Sequence, residues 1–184
     1  TTYEPTELKT PYCAVCHDKG THTVPEVRDS EHLFVPLDRH KEFLLGWLGE
    51  DGATSGTAIQ SSVRNYLLNW VEDLKDWDIS REAPYFGFEI PGHPGKYFYV
   101  WFDAPIGYIA ATDKWCADNG KDFDAYWKTD RAETEIVHVI GKDIVYFHAL
   151  FWPAMLHAAG YTTPSRIQVH GWLTVNGEKM SKSR

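Results

Sequence analysis

Residues 170–184, which we take as the anchor of the fold, read His170-Gly171-Trp172-Leu173-Thr174-Val175-Asn176-Gly177-Glu178-Lys179-Met180-Ser181-Lys182-Ser183-Arg184. The alternating run before Asn176-Gly177 predicts a strand, and this dipeptide favours the positive φ angles of a tight hairpin turn. The next five residues, 179–183, carry two ammonium groups and two hydroxyls. Lysines act as point charges on phosphates, and hydroxyls and backbone N–H groups complete the hydrogen bonds. The segment predicts a loop that closes over a polyphosphate, with a solvated basic loop as the alternative.

The chain before this segment predicts an α/β fold. Apolar runs predict strands, at residues 85–90, 97–102, 135–140 and 167–170. Helical patterns lie between these strands, at residues 104–119, 123–128 and 144–159. Pro153 is expected to kink the last of these helices. The alternation of strands and helices is typical of a parallel sheet with crossover helices.

Glycine-rich and polar turns follow the predicted parallel strands. These turns are Asp103-Ala104-Pro105, Gly141-Lys142-Asp143 and His170-Gly171. In an open α/β sheet, ligands bind outside the carboxyl ends of the strands. We therefore expect the three turns and the lysine segment to meet at one edge of the sheet and to form a nucleotide site.

Residues 1–36 predict a small, loop-rich element that contains Cys13-Ala14-Val15-Cys16-His17. Two cysteines separated by two residues form half of a tetrahedral zinc site. The sequence leaves open whether His17 and His22 add ligands, whether the string attaches a c-type haem, or whether the two cysteines are simply buried. We expect Cys116 to pack in the core, because it lies within a predicted helix.

Residues 37–77 predict a helical connector. Asp38 is expected to cap its first helix, and the second carries apolar residues at helical spacing from Val63 to Leu74. A polar, glycine-rich loop at residues 49–56 separates the two helices. The chain is thus predicted to divide into residues 1–36, 37–77 and 78–184.

The composition is that of a globular protein, with 43% hydrophobic residues, a net charge of −8 and three cysteines. The acidic balance argues against a protein that coats nucleic acid non-specifically. An odd number of cysteines favours no disulfide framework and predicts a reducing, cytoplasmic setting. No apolar run reaches membrane-spanning length, and no membrane partner is expected. Because the chain starts at Thr1 and stops just behind the lysine segment, we expect it to be part of a longer protein.

The sequence resembles the methionyl-tRNA synthetases, a family of class I aminoacyl-tRNA synthetases, over essentially its whole length. The strings that carry the resemblance are Arg28-Asp29-Ser30-Glu31-His32, Asp78-Ile79-Ser80-Arg81, Ala83-Pro84-Tyr85-Phe86-Gly87, Trp101-Phe102-Asp103-Ala104-Pro105-Ile106-Gly107-Tyr108, Gly141-Lys142-Asp143-Ile144-Val145-Tyr146-Phe147-His148 and residues 170–184. The resemblance implies the second half of a doubly wound, Rossmann-like parallel sheet. It also implies that part of a small zinc-knuckle connective insertion precedes this sheet, with the partner ligands of Cys13 and Cys16 upstream of Thr1.

The resemblance further implies an activity: ATP, with Mg²⁺, activates L-methionine to methionyl-adenylate, which then charges tRNA(Met). The tRNA is expected to bind mostly through domains outside this chain. Lys182 and Lys179 would stabilise the pyrophosphate in the transition state. The implied methionine-binding residues are Trp101, Ala104, Pro105, Tyr108, Ile144 and His148. The implied ATP-binding residues are Gly141, Asp143, His170, Gly171, Lys179, Ser181 and Lys182. Arg81 is expected to support the site by pairing with an upstream acidic residue.

Two alternatives to this function remain open in the sequence. One is a class I synthetase for another aliphatic amino acid, and the other is a non-catalytic, synthetase-derived zinc-ribbon or interaction module. Without the resemblance, Trp101, Tyr108 and Ile144 would be assigned to the core and His148 to the buried histidines. The His-x-Gly-His motif of the family is expected before Thr1, so we do not expect this chain to catalyse the reaction alone.

Overall fold

The structure is a computed structural model that describes residues 12–21, 23–27, 29–49, 58–128 and 134–171 and the backbone of residues 174–175 and 178–179. The chain divides into two compact units, Thr1–His32 and Leu33–Arg184. The first unit contains a short helix, α1 (Ala14–Asp18). Cys13 precedes this helix and is exposed, while Cys16 lies inside it and is half-buried. The alternative of a buried cysteine pair is therefore wrong.

The second unit holds most of the described secondary structure. Its helices are α2 (Lys41–Leu48), α3 (Ser61–Glu72), α4 (Val100–Asp103), α5 (Ile106–Asn119), α6 (Asp124–Trp127) and α7 (Trp152–Ala158). Its strands are β1 (Phe34–Val35), β2 (Ala58–Ile59), β3 (Trp77–Asp78), β4 (Ser80–Glu82), β5 (Lys96–Phe98), β6 (Val137–Gly141), β7 (Arg166–His170), β8 (Thr174–Val175) and β9 (Glu178–Lys179). No helix among the described residues is both long enough and apolar enough to cross a membrane.

The described residues form a three-stranded parallel sheet with the order β2-β7-β6. The parallel sheet that the sequence predicts is confirmed for β6 and β7, whereas β2 was not predicted. The side chain of Gln60 continues the pairing beyond β2. Its Nε2 donates to the Val169 carbonyl at 2.6 Å, and the Val169 N–H donates to its Oε1 at 3.1 Å. One amide side chain thus replaces a strand residue where α3 begins.

The predicted strand at residues 97–102 is wrong in length and in partner. β5 ends at Phe98 and pairs antiparallel with β4, and α4 follows it directly. The aromatic run spans the junction of strand and helix, where Phe98 stacks on Phe102 with ring centroids 5.0 Å apart. The Asp103-Ala104-Pro105 turn therefore follows a helical turn and not a strand of the parallel sheet. Residues 85–90 are not a strand either, and contribute one isolated bridge between Glu89 and Tyr97.

Two predicted helix features also differ from the structure. Asp38 does not cap α2, because a 3₁₀ turn (Leu37–His40) comes first and His40 occupies the N-cap position. The helix predicted from residue 144 is divided into a 3₁₀ turn (Lys142–Ile144), a π-helical segment (Phe147–Phe151) and α7. Pro153 lies in the first turn of α7, where its missing N–H is tolerated.

The core forms where α2, α3 and the π-helical segment cover the parallel sheet. Leu44, Leu67, Leu150 and Ile167 are almost completely buried there. Burying one such side chain contributes roughly 1.5–3 kcal/mol to folding. The sheet is thus held rigidly enough to position side chains that follow its strands.

Candidate active site

The centre of the candidate site is a hydrogen-bonded pair of side chains, Tyr108 from α5 and His148 from the π-helical segment. The Tyr108 hydroxyl and His148 Nε2 are 3.0 Å apart, and His148 Nδ1 lies 3.0 Å from the Ile144 carbonyl. A carbonyl only accepts, so Nδ1 carries the proton. Burial lowers the pKa of His148, although its bond to Ile144 opposes this shift. The neutral ring therefore accepts at Nε2, and Tyr108 donates.

An aromatic wall stands beside this pair. The Trp101 ring stacks on Phe147 with centroids 4.2 Å apart and an interplanar angle of 4°. The same indole meets His148 edge-on at 6.3 Å. The sequence predicted no role for Phe147, although this residue immediately precedes His148. The implied methionine-binding residues Trp101, Tyr108, Ile144 and His148 are thus brought together.

Ala104 and Pro105 form the turn that places Tyr108. The Gly107 N–H donates to the Ala104 carbonyl and the Tyr108 N–H donates to the Pro105 carbonyl, each at 3.0 Å. Pro105 is buried, whereas Ala104 is exposed. The turn fixes the first residues of α5 and hence the backbone position of Tyr108.

His138 is a site residue that the sequence interpretation missed. Its ring lies 5.2 Å from Tyr108 and 5.3 Å from His148, measured between centroids. Burial, and the neighbouring His148, lower the pKa of His138 to about 4. The signal was present in β6, where His138 shares the buried face with Ile140 while Val137 and Val139 are exposed.

A second group of residues meets at the carboxyl edge of the parallel sheet. Gly141 and His170 are register partners at the ends of β6 and β7. A Cβ built on Gly141 would lie 2.7 Å from Asp143 Oδ1 and 3.7 Å from His170 Cε1. His170 Nδ1 donates to the Gly171 carbonyl at 2.9 Å. The structure therefore brings together Gly141, Asp143, His170 and Gly171, four of the implied ATP-binding residues.

Arg81 contacts one residue from each of three neighbouring places: β3, β4 and the position directly after β5. Its Nη1 lies 2.9 Å from Asp78 Oδ2, and its guanidinium carbon is 3.9 Å from the centre of the Tyr99 ring. The acidic partner that the structure provides is thus Asp78. An arginine held by an ion pair and an aromatic face is well fixed.

The hairpin predicted at the lysine segment is confirmed in its backbone pairing. β8 and β9 pair antiparallel, with Thr174 opposite Lys179 and Val175 opposite Glu178. The turn Asn176-Gly177 and the side chains of Ser181 and Lys182 lie outside the described residues. Of the lysine segment, the structure thus describes the backbone of Lys179 alone.

Cys13 and Cys16 do not form a complete metal site. Within the described ranges, no group of three or more His, Cys, Asp or Glu side chains is arranged to hold a metal ion. A structural zinc ion takes four ligands. The residues present therefore fit no more than the half site that the sequence predicts.

The two groups of residues lie on consecutive parts of the chain. Gly141 ends β6, Asp143 and Ile144 lie in the 3₁₀ turn, and His148 lies in the π-helical segment that follows. One group offers a neutral, aromatic surface, and the other offers a carboxylate and closely approachable backbone. Chemically, this arrangement suits a ligand with an apolar end and a polar, hydroxyl-rich end.

Comparison with known proteins gives one consistent result. The chain is 56% identical to the methionine–tRNA ligase of Nitrosomonas europaea over 189 aligned positions, and the match covers 99% of this chain and 25% of that protein. It is 54% identical to methionine–tRNA ligase 1 of Sorangium cellulosum over 185 residues, again 25% of that protein. The chain therefore spans about a quarter of the length of these curated relatives.

Solved structures agree with this result. The Mycobacterium tuberculosis methionyl-tRNA synthetase in complex with methionyl-adenylate matches with a TM-score of 0.67 and 34% identity, over 90% of this chain and 32% of that chain. The apo form of the same synthetase matches with a TM-score of 0.61 and 29% identity, over 82% of this chain and 28% of that chain. The class I synthetase fold is thereby established for this chain.

The family described as tRNA synthetases class I (M) matches residues 1–184. The resemblance in the sequence is confirmed by this match and by the relatives. Because the match covers the whole chain, the chain belongs to the family of class I tRNA synthetases of the M type.

Proposed function

We propose that this chain is the central part of the catalytic domain of a methionine–tRNA ligase. In this proposal the complete protein activates L-methionine with ATP and transfers it to tRNA(Met). The observation that carries it is the Tyr108–His148 hydrogen bond beside Trp101, because His148 lies a few residues after the Gly141–Asp143 turn. The names of the relatives, and the methionyl-adenylate bound to one of them, support the same activity.

The amino-acid end of the substrate would lie against the Tyr108–His148 pair. A thioether is apolar and polarizable, and its sulfur gains about 0.3–1.5 kcal/mol from contacts with aromatic rings. Trp101 and Tyr108 offer such rings, and the neutral state of His148 avoids burying a charge beside the sulfur. Ala104 and Pro105 would close the pocket beside Tyr108. A branched aliphatic side chain is shorter and gains less from these surfaces.

The nucleotide end would lie at the carboxyl edge of β6 and β7. Asp143 would accept hydrogen bonds from the ribose hydroxyls, and Gly141 would let the backbone approach the nucleotide. His170 and Gly171 would lie near the adenine and the α-phosphate. ATP would enter as its Mg²⁺ complex. Lys179 at the end of β9, together with Ser181 and Lys182, would bind the two outer phosphates.

In the reaction, a carboxylate oxygen of methionine attacks the α-phosphorus and forms the mixed anhydride. The bond from the α-phosphorus to the bridging oxygen breaks, and pyrophosphate leaves with the electron pair. Phosphoryl transfer of this kind depends mainly on positioning and on stabilising charge. Lys182 would stabilise the charge that develops on pyrophosphate. A terminal ribose hydroxyl of the tRNA then attacks the carbonyl carbon, and AMP leaves.

The proposal also assigns the rest of the chain. The parallel sheet is taken as the second half of a doubly wound, Rossmann-like sheet, and residues 37–77 as a helical connector. Residues 1–36 would be part of a zinc-knuckle insertion whose remaining ligands lie elsewhere in the complete protein. Cys13 and Cys16 would hold zinc there as a structural ion. A cytoplasmic location is part of the proposal and is supported by the odd number of cysteines.

Amino-acid-dependent exchange of pyrophosphate into ATP by the complete protein tests this function. We expect exchange with L-methionine at a catalytic efficiency at least about 100-fold above that with leucine, isoleucine or valine. A preference for one of those three would favour a synthetase for another aliphatic amino acid. Absence of exchange with all four would favour the non-catalytic interaction module.

A further inference from the structure

Gln60 is the residue at which β2 stops and α3 begins. β2 ends at Ile59, and the Gln60 carbonyl accepts the N–H groups of Val63 and Arg64 at 3.0 and 2.9 Å. The main chain of Gln60 therefore starts the helix and does not continue the strand. β7, the strand beside β2, runs on to His170. The end of β7 thus extends beyond the last strand residue that β2 offers as a partner.

The side chain of Gln60 takes the place of the missing strand residue. Its Nε2 donates to the Val169 carbonyl at 2.6 Å, and its Oε1 accepts the Val169 N–H at 3.1 Å. A primary amide offers a donor and an acceptor side by side, as a strand residue does. Both bonds are partly buried, and a buried backbone group without a partner costs about as much as a lost hydrogen bond. The two bonds therefore hold the backbone of Val169 against the start of α3.

Val169 lies directly before His170, so these bonds act at the nucleotide end of the candidate site. The Val169 carbonyl and the His170 N–H belong to one planar peptide group. Fixing the carbonyl therefore fixes the plane from which the His170 residue continues. On the other side of β7, His170 is the register partner of Gly141 in β6. The end of β7 is thus held from both sides, by β6 and by Gln60.

The first turns of α3 border the same region. A cavity of about 360 Å³ is lined by Ser62, Val63 and Tyr66 from α3 and by Asp143 and Val169, among others. One wall of this cavity is thus the helix that Gln60 starts, and the opposite side carries the proposed ribose ligand. A movement of the β7 end relative to α3 would therefore change the spacing between β7 and the turn that holds Asp143.

Other residues hold α3 on the sheet. Leu67 and Val71 of this helix are completely buried in the core, together with Ile167 of β7 at 1% exposure. Gln60 itself is only half-buried. Loss of its amide is therefore expected to leave α3 in place and to release the end of β7 alone.

We propose, on the basis of the proposed synthetase function, that Gln60 is a positioning residue for ATP. Its two bonds to Val169 hold the end of β7, and with it His170 and Gly171, in the position that receives the adenosine part of the nucleotide. In this role Gln60 acts through Val169 and makes no contact with either substrate.

Pyrophosphate exchange by the complete protein, with ATP and methionine varied separately, tests this role. Gln60→Met keeps the length of the side chain and removes both hydrogen bonds. It is expected to raise KM for ATP about 3- to 10-fold and KM for methionine by no more than about twofold. An unchanged KM for ATP in a folded Gln60→Met protein, or an equal rise in both KM values, overturns the proposal.

Two control variants distinguish positioning from a loss of stability. Gln168→Met makes the same change at an exposed position of β7 and should alter neither KM. Val71→Ala weakens the packing of α3 from a completely buried position and should lower the thermal unfolding midpoint without raising KM for ATP. A rise in KM for ATP in Val71→Ala as large as that in Gln60→Met would show a purely structural role and refute the proposal.

A double-mutant cycle tests whether Gln60 acts through the end of β7. His170→Ala alone is expected to raise KM for ATP. Adding Gln60→Met to His170→Ala should then raise this KM by a smaller factor than in the wild-type background, because the group that Gln60 positions is already lost. Full additivity of the two changes contradicts the proposed route.

The outcomes also separate this role from the function on which it rests. If the wild-type protein exchanges pyrophosphate with no amino acid, the proposed function fails and the role of Gln60 with it. If the wild type is active with methionine and Gln60→Met matches it, only the role of Gln60 fails. Should Gln60→Met not fold, Gln60→Glu replaces it, since a carboxylate accepts the Val169 N–H but has no donor for the Val169 carbonyl. A wild-type KM for ATP in Gln60→Glu then refutes the role.

Discussion

Substitution of Gly141 by alanine is expected to disturb the nucleotide end of the site and to leave the amino-acid end unchanged. The added Cβ would lie 2.7 Å from Asp143 Oδ1, whereas ordinary contacts begin at 3.4 Å. The carboxylate must therefore retreat by about 0.7 Å, the difference between these two distances. The backbone itself accepts alanine, because Gly141 has φ −74° and ψ 151°. The change thus moves one functional group without straining the main chain.

The expected cost follows from the role proposed for Asp143. A displaced carboxylate loses a charge-assisted hydrogen bond to the ribose, which is worth roughly 1.5–3 kcal/mol. We therefore expect KM for ATP to rise by about 10- to 100-fold. KM for methionine should stay within about twofold, because Tyr108 and His148 are untouched. The thermal unfolding midpoint should not fall, since alanine in a compatible conformation stabilises by about 0.4–1 kcal/mol.

The assay is pyrophosphate exchange by the complete protein with ATP and methionine varied separately. Gly46→Ala is the matched control, because a Cβ on Gly46 in α2 meets no atom within 4 Å. An unchanged KM for ATP in a folded Gly141→Ala protein would refute the assignment of Asp143. An equal rise in both KM values would refute the separation of the two ends.

Three further predictions address the phenol–imidazole pair, the buried imidazole and the lysine loop. Tyr108→Phe leaves the buried Nε2 of His148 without its donor and should reduce the free energy of unfolding by about 1–2 kcal/mol in chemical denaturation, whereas the control Tyr126→Phe should not. Because burial lowers the pKa of His138 from 6.5 to about 4, the unfolded chain binds a proton that the folded chain rejects. Stability should thus be full above pH 6.5 and decline towards pH 4, and denaturation at several pH values in wild type and His138→Phe checks this slope. Lys182→Ala should lower the exchange rate by ~10²–10³ and leave methionine affinity unchanged, and equal losses would contradict its role.

The lengths of the apolar runs and their periodicity in the sequence predicted α5, β6 and β7. α5 ends at Asn119 and Gly120 follows with φ 61°, as expected for a glycine that stops a helix. β6 and β7 are apolar runs bounded by turns, and they pair in parallel. The meeting of Gly141 with His170 then follows from the geometry of parallel strands.

The sequence did not predict the features that depend on tertiary contacts. β2 is two residues long and is extended by the side chain of Gln60, which no periodicity reveals. β5 stops at Phe98 and the rest of the apolar run enters α4, where Phe102 stacks on Phe98. His138 looks like an ordinary polar residue until the strand is placed against α5 and the π-helical segment.

The central claim is that the Tyr108–His148 pair and the Gly141–Asp143 turn bind the two ends of one adenylate. Isothermal titration of the complete protein with a non-hydrolysable methionyl-adenylate analogue tests it most directly, in wild type, Tyr108→Phe, Asp143→Asn and the double variant. The account predicts that each single change weakens the analogue and that the two losses add within about 0.5 kcal/mol. It also predicts that methionine alone responds only to Tyr108→Phe and ATP alone only to Asp143→Asn. Wild-type affinity for the analogue in either single variant would contradict the claim.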